Sequence, residues 1–95
     1  RPPLIVQPHY LHPRPNDTII AALTRTISQL HEPHQVLVHI DTPHGAASGL
    51  LKTSAVRCER LHTVPQTIIQ KVIGSLSDEL MNKVDESLKA ALGIP

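Results

Sequence analysis

The period of the apolar residues changes once along this chain, at Pro65, and that change limits the fold more than any other feature. Ahead of it the apolar residues come in strand-length pieces. Leu4-Ile5-Val6 follows two prolines and reads as a short buried strand, and Asp17–Thr24 (DTIIAALT) reads as a second. Gln35–Asp41 alternates, with Val36, Val38 and Ile40 on one side and Leu37, His39 and Asp41 on the other, the pattern of a half-buried strand. Ala55–His62 is the fourth. The proline- and histidine-rich stretch Pro8–Pro15, the polar stretch Arg25–His34 and the small residues His44–Gly49 (HGAASG) read as connections.

Beyond Pro65 the spacing is helical. Pro65 suits the first turn of a short helix carrying Ile68, Ile69 and Val72 and ended by Gly74. Ser77 is a good cap for a second, longer helix, with Asp78 and Glu79 where the helix dipole favours acids. Leu80, Met81, Val84, Leu88, Ala91 and Leu92 then follow helical spacing up to Gly93, a C-terminal stop. Glu79/Lys83 and Asp85/Lys89 are spaced for pairing along its surface. Strands followed by helices predict an α+β domain, mainly β: a small antiparallel sheet or barrel with helices against one side.

Ninety-five residues make one domain, burying roughly 60–65% of the surface of the unfolded chain. Tyr10 is its single aromatic residue, which leaves two expectations: a core built from Leu, Ile and Val, or a domain whose aromatic-bearing part is absent from this sequence. One cysteine, Cys58, excludes an internal disulfide and fits a reducing, cytoplasmic compartment. No apolar run approaches the ~20 residues that span a bilayer, so no membrane partner is expected. Charge is unevenly spread. Residues 1–76 hold seven Lys/Arg against four acids, and residues 77–95 hold two Lys against four acids. A polyanion site, if present, therefore belongs on the strands rather than on the last helix.

Within Ala55–His62 the two faces exchange character midway. Val56 and Cys58 are apolar on one face, where Arg60 and His62 then follow; Arg57 and Glu59 are polar on the other, where Leu61 follows. A strand that inverts in this way bends or bulges. Arg57 and Glu59, two apart, project from one face. A carboxylate to take the 2′-hydroxyl proton and a cation to stabilise charge on phosphorus are the minimum set for cleaving RNA with its own 2′-hydroxyl. The same two residues also fit an ordinary surface ion pair.

Several segments in order resemble the MazF/PemK/Kid toxin family. Val56-Arg57-Cys58-Glu59, with Thr63-Val64 after it, looks like the family's V-R-C-[DE]…R-T-[IV] segment. Arg1-Pro2 followed by Leu4-Ile5-Val6-Gln7 resembles its R-P-x-L-[IV]-V-Q strand, and Ala21–Thr24 its A-x-[IL]-T strand end. Gly49-Leu50 leading to Ser54 resembles its G-L…S approach, and Asp78-Glu79, Val84-Asp85-Glu86 and Leu88 its last helix. The resemblance implies an SH3-like barrel, a homodimer, a sequence-specific endoribonuclease acting on single-stranded mRNA without metal or other cofactor, and a cognate antitoxin peptide. It places Arg1, Thr24, Arg57 and Glu59 on catalytic positions. Glu59 is then the base, Arg57 an electrostatic stabiliser, and Arg1 and Thr24 hold phosphate oxygens. Thr53, Ser54, Arg25 and His62 are the further candidates for RNA contact. The family's first strand and a G-x-E loop would precede Arg1, so the expectation is a domain lacking that strand and loop, either because the sequence is incomplete or because this is a truncated relative.

Two other functions fit a chain of this kind. A gyrase-poisoning toxin of the CcdB type uses the same barrel but works through its C-terminal helix, and a catalytically inactive relative would keep the fold alone. Seven histidines also invite a metal reading through His9-x-x-His12 and His31-x-x-His34. These pairs flank prolines in loops and lack cysteine partners, which favours solvated loop histidines over zinc ligands.

Overall fold

A computed structural model describes residues 2–6, 16–26, 33–69 and 71–95. Four strands, β1 (Leu4–Ile5), β2 (Asp17–Thr24), β3 (Gln35–Val38) and β4 (Ser54–Pro65), form one sheet in the order β1-β2-β4-β3. Every neighbouring pair is antiparallel. The sheet curls into a half-barrel around helix α2 (Asp78–Leu92), and a one-turn helix, α1 (Pro43–Ala46), sits in the β3–β4 connection. Arg1 and the Pro8–Pro15 stretch lie outside the described residues, as do His9, His12 and His31.

The core is aliphatic, as an almost ring-free sequence requires. Ala21 of β2, Val36 and Val38 of β3, and Val56 and Cys58 of β4 meet Leu80 and Val84 of α2, all of them buried. Leu4, Val6, Leu23, Leu61, Met81, Leu88 and Ala91 pack around them. Leu92, the last residue of the expected stripe, is exposed instead. The helix ends where its capping residues put them. The Ser77 hydroxyl accepts the Leu80 N–H at 3.3 Å, and Gly93 takes a left-handed conformation (φ 70°). Of the expected surface pairs, Lys89 meets Glu86 at 3.7 Å rather than Asp85, and Glu79 is taken by His44 of α1 at 2.6 Å. Among the described residues, no helix is long and apolar enough to cross a membrane.

Strand β4 runs from Ser54 to Pro65, beyond the expected Ala55–His62, and three other elements differ from their sequence expectation. Residues 43–46 are helical because Thr42 caps them, its hydroxyl accepting the Gly45 N–H at 3.1 Å, with Pro43 in the first turn. That same Thr42 hydroxyl donates to the His39 carbonyl at 2.6 Å, turning the chain just after Val38, so β3 stops short of Asp41. The helix expected after Pro65 is only a 3-10 turn, Gln66–Ile68.

From Lys71 to Ser77 the described chain is irregular and crosses the turn after α1. There Gly49 and Gly74 come together backbone to backbone. A Cβ on Gly49 would strike the Ile73 carbonyl, and one on Gly74 the Ser48 carbonyl. Gly49 also has φ 88°, a conformation that side-chain-bearing residues adopt at a cost. Two glycines thus let residues 71–76 close over one end of the sheet. Replacing Gly93 with alanine, where the Cβ meets open space, is expected to cost about 1–2 kcal/mol from backbone conformation alone. Gly49→Ala should cost clearly more, since it adds the clash; urea denaturation of the two variants measures the difference.

Candidate active site

Strand β4 is one long strand serving two partners, and it bends where it changes between them. Its first four residues pair with β3 (Ser54–Arg57 against Val38–Gln35) and, from Ala55, with the end of β2. Ala22 is opposite Arg57, yet its neighbour Ala21 is opposite Leu61. Cys58, Glu59 and Arg60 are therefore extra on the β4 side, and the alternation of faces resets across them. Ahead of the bend Cys58 points into the core, its thiol 3.9 Å from the Val84 carbonyl of α2. Beyond it Leu61 returns to the core and Arg60 is exposed. Burial, with the Glu59 charge alongside, pushes the Cys58 thiol up to about 11. It is a packing group held neutral, not a nucleophile.

Arg57 and Glu59 flank Cys58 on the outer face. Arg57 Nη2 lies 3.3 Å from Glu59 Oε2, and the two side chains keep 29% and 28% of their surface exposed. Among the described residues, the buried Arg57 Nε has no partner, so part of this guanidinium's donor capacity is unspent there. Two further groups reach the same carboxylate oxygen from the start of β3. His34 Nε2 is 3.2 Å from Glu59 Oε2, and Gln35 donates to it at 3.5 Å. Burial tends to raise the Glu59 carboxyl, but its own backbone N–H, the Gln35 amide, Arg57 and His34 together hold it below the ordinary glutamate range. It is a carboxylate at neutral pH.

The other sequence-predicted residues fall into three places. Thr24 shares the face of Arg57: Ala22 is opposite Arg57, and Thr24 lies two residues further along β2, roughly 7 Å away. Its hydroxyl accepts the Thr26 N–H at 3.1 Å. Arg25 follows, exposed, and with Lys52 and Ser54 it lines a hollow of about 330 Å³ at that end of the sheet. The hydroxyls of Thr53 and Ser54 already have backbone partners. Thr53 accepts the Ile40 N–H at 3.1 Å, and the buried Ser54 donates to the Lys52 carbonyl at 2.9 Å. His62 is exposed beyond the bend, opposite Ile20, and is not brought to Arg57 and Glu59. Arg1 lies outside the described residues. Among the described residues no group of three or more His, Cys, Asp or Glu side chains is arranged to hold a metal ion.

A larger hollow, about 620 Å³, lies elsewhere. Apolar residues such as Ile5, Ile20, Val64, Val72 and Met81 line it, and Lys71 is the one titratable group among its described lining residues. Its lining is mostly apolar, whereas the charged side chains meet at the bend of β4.

Residues 1–92 match the family of PemK-like, MazF-like toxins of type II toxin–antitoxin systems. The chain belongs to this family. Its half-barrel superposes on the Mycobacterium tuberculosis toxin MazF-mt6 with a TM-score of 0.81 and 25% identity, covering 100% of this chain and 88% of that one. A mycobacterial endoribonuclease solved with its cognate antitoxin gives a TM-score of 0.81 at 25% identity, covering 100% of this chain and 82% of the other. A further Mtb toxin gives 0.78 at 26% identity, covering 96% and 91%. No curated protein matches the chain.

His34 and Gln35 are the neighbours of Glu59 that sequence reading did not find. His34 was expected to be a solvated loop histidine; instead its side chain is 29% exposed and rests on Glu59. Gln35 carried a weak signal, being an outward-facing position of an alternating strand. Only the β3–β4 register places it opposite Arg57.

The electrostatics set a direction for acid stability. Folded Glu59 holds its proton less tightly than the unfolded chain does, so its stabilising contribution is complete above the unfolded glutamate range. It is lost as pH falls through the lower folded-state value. Urea denaturation of the wild type and Glu59→Gln should accordingly show the wild type's advantage at about pH 6 shrinking by about pH 3.

Proposed function

We propose that this toxin is a sequence-specific endoribonuclease that cuts single-stranded mRNA at the bend of β4. The observation that carries the reading is the Arg57–Glu59 pair, an ionised carboxylate 3.3 Å from a guanidinium, half-exposed on a face that also holds Thr24. Family membership supports it, and so does the endoribonuclease among its structural neighbours.

In this mechanism Glu59 accepts the 2′-hydroxyl proton as the 2′-oxygen attacks phosphorus. Arg57 faces the non-bridging oxygens and stabilises the charge that builds there. A guanidinium keeps its proton in proteins, so its contribution is electrostatic. Thr24 and Arg1 hold phosphate oxygens, and Arg25 lies where the strand would continue past Thr24. The bond to the 5′-oxygen breaks, water protonates that oxygen, and the products carry 2′,3′-cyclic phosphate and 5′-hydroxyl ends. No metal or other cofactor takes part. The protein acts in the cytoplasm as a homodimer and is held inactive by a cognate antitoxin peptide, in keeping with the antitoxin-bound structural neighbour.

Incubating the protein with a long single-stranded RNA in excess chelator tests this. Discrete cuts with those ends are expected, and Arg57→Ala or Glu59→Ala should each slow cleavage roughly 10²–10³-fold. Cleavage that requires a divalent ion, or that survives both substitutions, would sink the mechanism. Intact RNA alongside inhibited gyrase would point to a CcdB-type poison instead.

A further inference from the structure

His34 is held at two points on consecutive residues of the reactive strand. Its carbonyl accepts the Cys58 N–H at 2.9 Å, and its Nε2 sits 3.2 Å from Glu59 Oε2. The backbone bond fixes where the residue starts, the side chain bridges to the bend, and the imidazole is already aimed before any substrate arrives. Of the three side-chain donors that converge on Oε2, His34 is the nearest; Arg57 stands at 3.3 Å and Gln35 at 3.5 Å. Among the described residues none of the side-chain donors on Glu59 meets Oε1.

We propose that His34 is a positioning residue for cleavage: seated on Oε2, it keeps Glu59 in place while Oε1 takes the 2′-hydroxyl proton. This rests on the ribonuclease reading above. Its necessity follows from the double duty of Arg57. An arriving phosphate competes for the guanidinium that now faces Glu59, because two anions share one fork of donors. Once Arg57 turns to the phosphate, His34 and the more distant Gln35 are the side chains that, among the described residues, hold the carboxylate from a separate element. His34 is not placed to protonate the leaving group. It sits on the base itself, whereas the 5′-oxygen departs on the opposite side of phosphorus from the attacking 2′-oxygen. Among the described residues, the charged or titratable side chains facing Glu59 are Arg57 on its own strand and His34 from the start of β3, with the neutral Cys58 thiol turned to the core between them.

The test compares wild type, His34→Ala and His34→Gln on a single-stranded RNA containing a mapped cut site, over a range of pH. Gln is the conservative variant because its amide can offer a donor near the position of Nε2, and in both variants the residue 34 carbonyl still accepts from Cys58. His34→Ala should lower kcat about tenfold, the worth of one charge-assisted hydrogen bond, with little change in KM. The acid limb of its rate profile should move to higher pH, since a group that favours the carboxylate has gone. His34→Gln should recover most of kcat. Wild-type kcat and an unmoved acid limb in His34→Ala would overturn the proposal, as would a Gln variant no better than Ala.

A second measurement needs no substrate. Carbon-detected NMR titration of the Glu59 carboxyl should show its midpoint rising in His34→Ala, and an unchanged midpoint counts against the proposal. If Arg57→Ala and Glu59→Ala cleave normally, the ribonuclease reading fails, and this titration still decides whether His34 governs Glu59.

Discussion

The bend in β4 is the constraint on which the rest of this structure depends. A strand that pairs with two neighbours along its whole length presents one set of side chains to the core and the other to solvent. Here three extra residues, Cys58 to Arg60, break that regularity between the pairs Ala22–Arg57 and Ala21–Leu61. The break lets Cys58 enter the core against α2 while Arg57 and Glu59 remain together outside, and it lets Leu61 return to the core afterwards. Curvature of the sheet and placement of the charged pair are thus one event. A straight β4 would leave either Leu61 or Glu59 on the wrong face.

The charged pair in turn depends on elements distant in sequence. The Glu59 carboxyl is held below the ordinary glutamate range because side-chain donors from β4 and from the start of β3 meet on one of its oxygens, against the opposing influence of burial. Their geometry is secured by the β3–β4 register and by the Cys58 N–H bond to His34. That register depends in turn on the β3–β4 connection, where Thr42 turns the chain back and caps α1. Electrostatics at the site are therefore a consequence of backbone pairing more than of local charge content, which is nearly balanced in the sequence as a whole.

Legibility in the sequence varied with how local each signal was. Strand β2 occupies Asp17–Thr24 as its apolar run predicts, and α2 begins and ends at its Ser77 and Gly93 caps. Both depend on nearest neighbours along the chain. The helix expected after Pro65 gives way to a 3-10 turn and, at residues 71–76, an irregular segment whose Gly74 packs against the Ser48 carbonyl, a contact no local signal encodes. The turn at Thr42-Pro43 was legible, since a capping hydroxyl followed by proline is a helix start, but the small residues after it read more strongly as a loop.

By itself, the sequence determined that strands precede a capped C-terminal helix, that β4 bends, and that Arg57 and Glu59 share a face. Each of these follows from spacing along one segment. Tertiary structure alone decided that Thr24 shares that face, that Thr53 and Ser54 spend their hydroxyls on the backbone, and that His62 stands apart beyond the bend. It also decided that a histidine and a glutamine from the start of β3 complete the surroundings of Glu59. The physical reason is register. Strand pairing brings together residues more than twenty positions apart, and no period within either strand encodes which partner each will face.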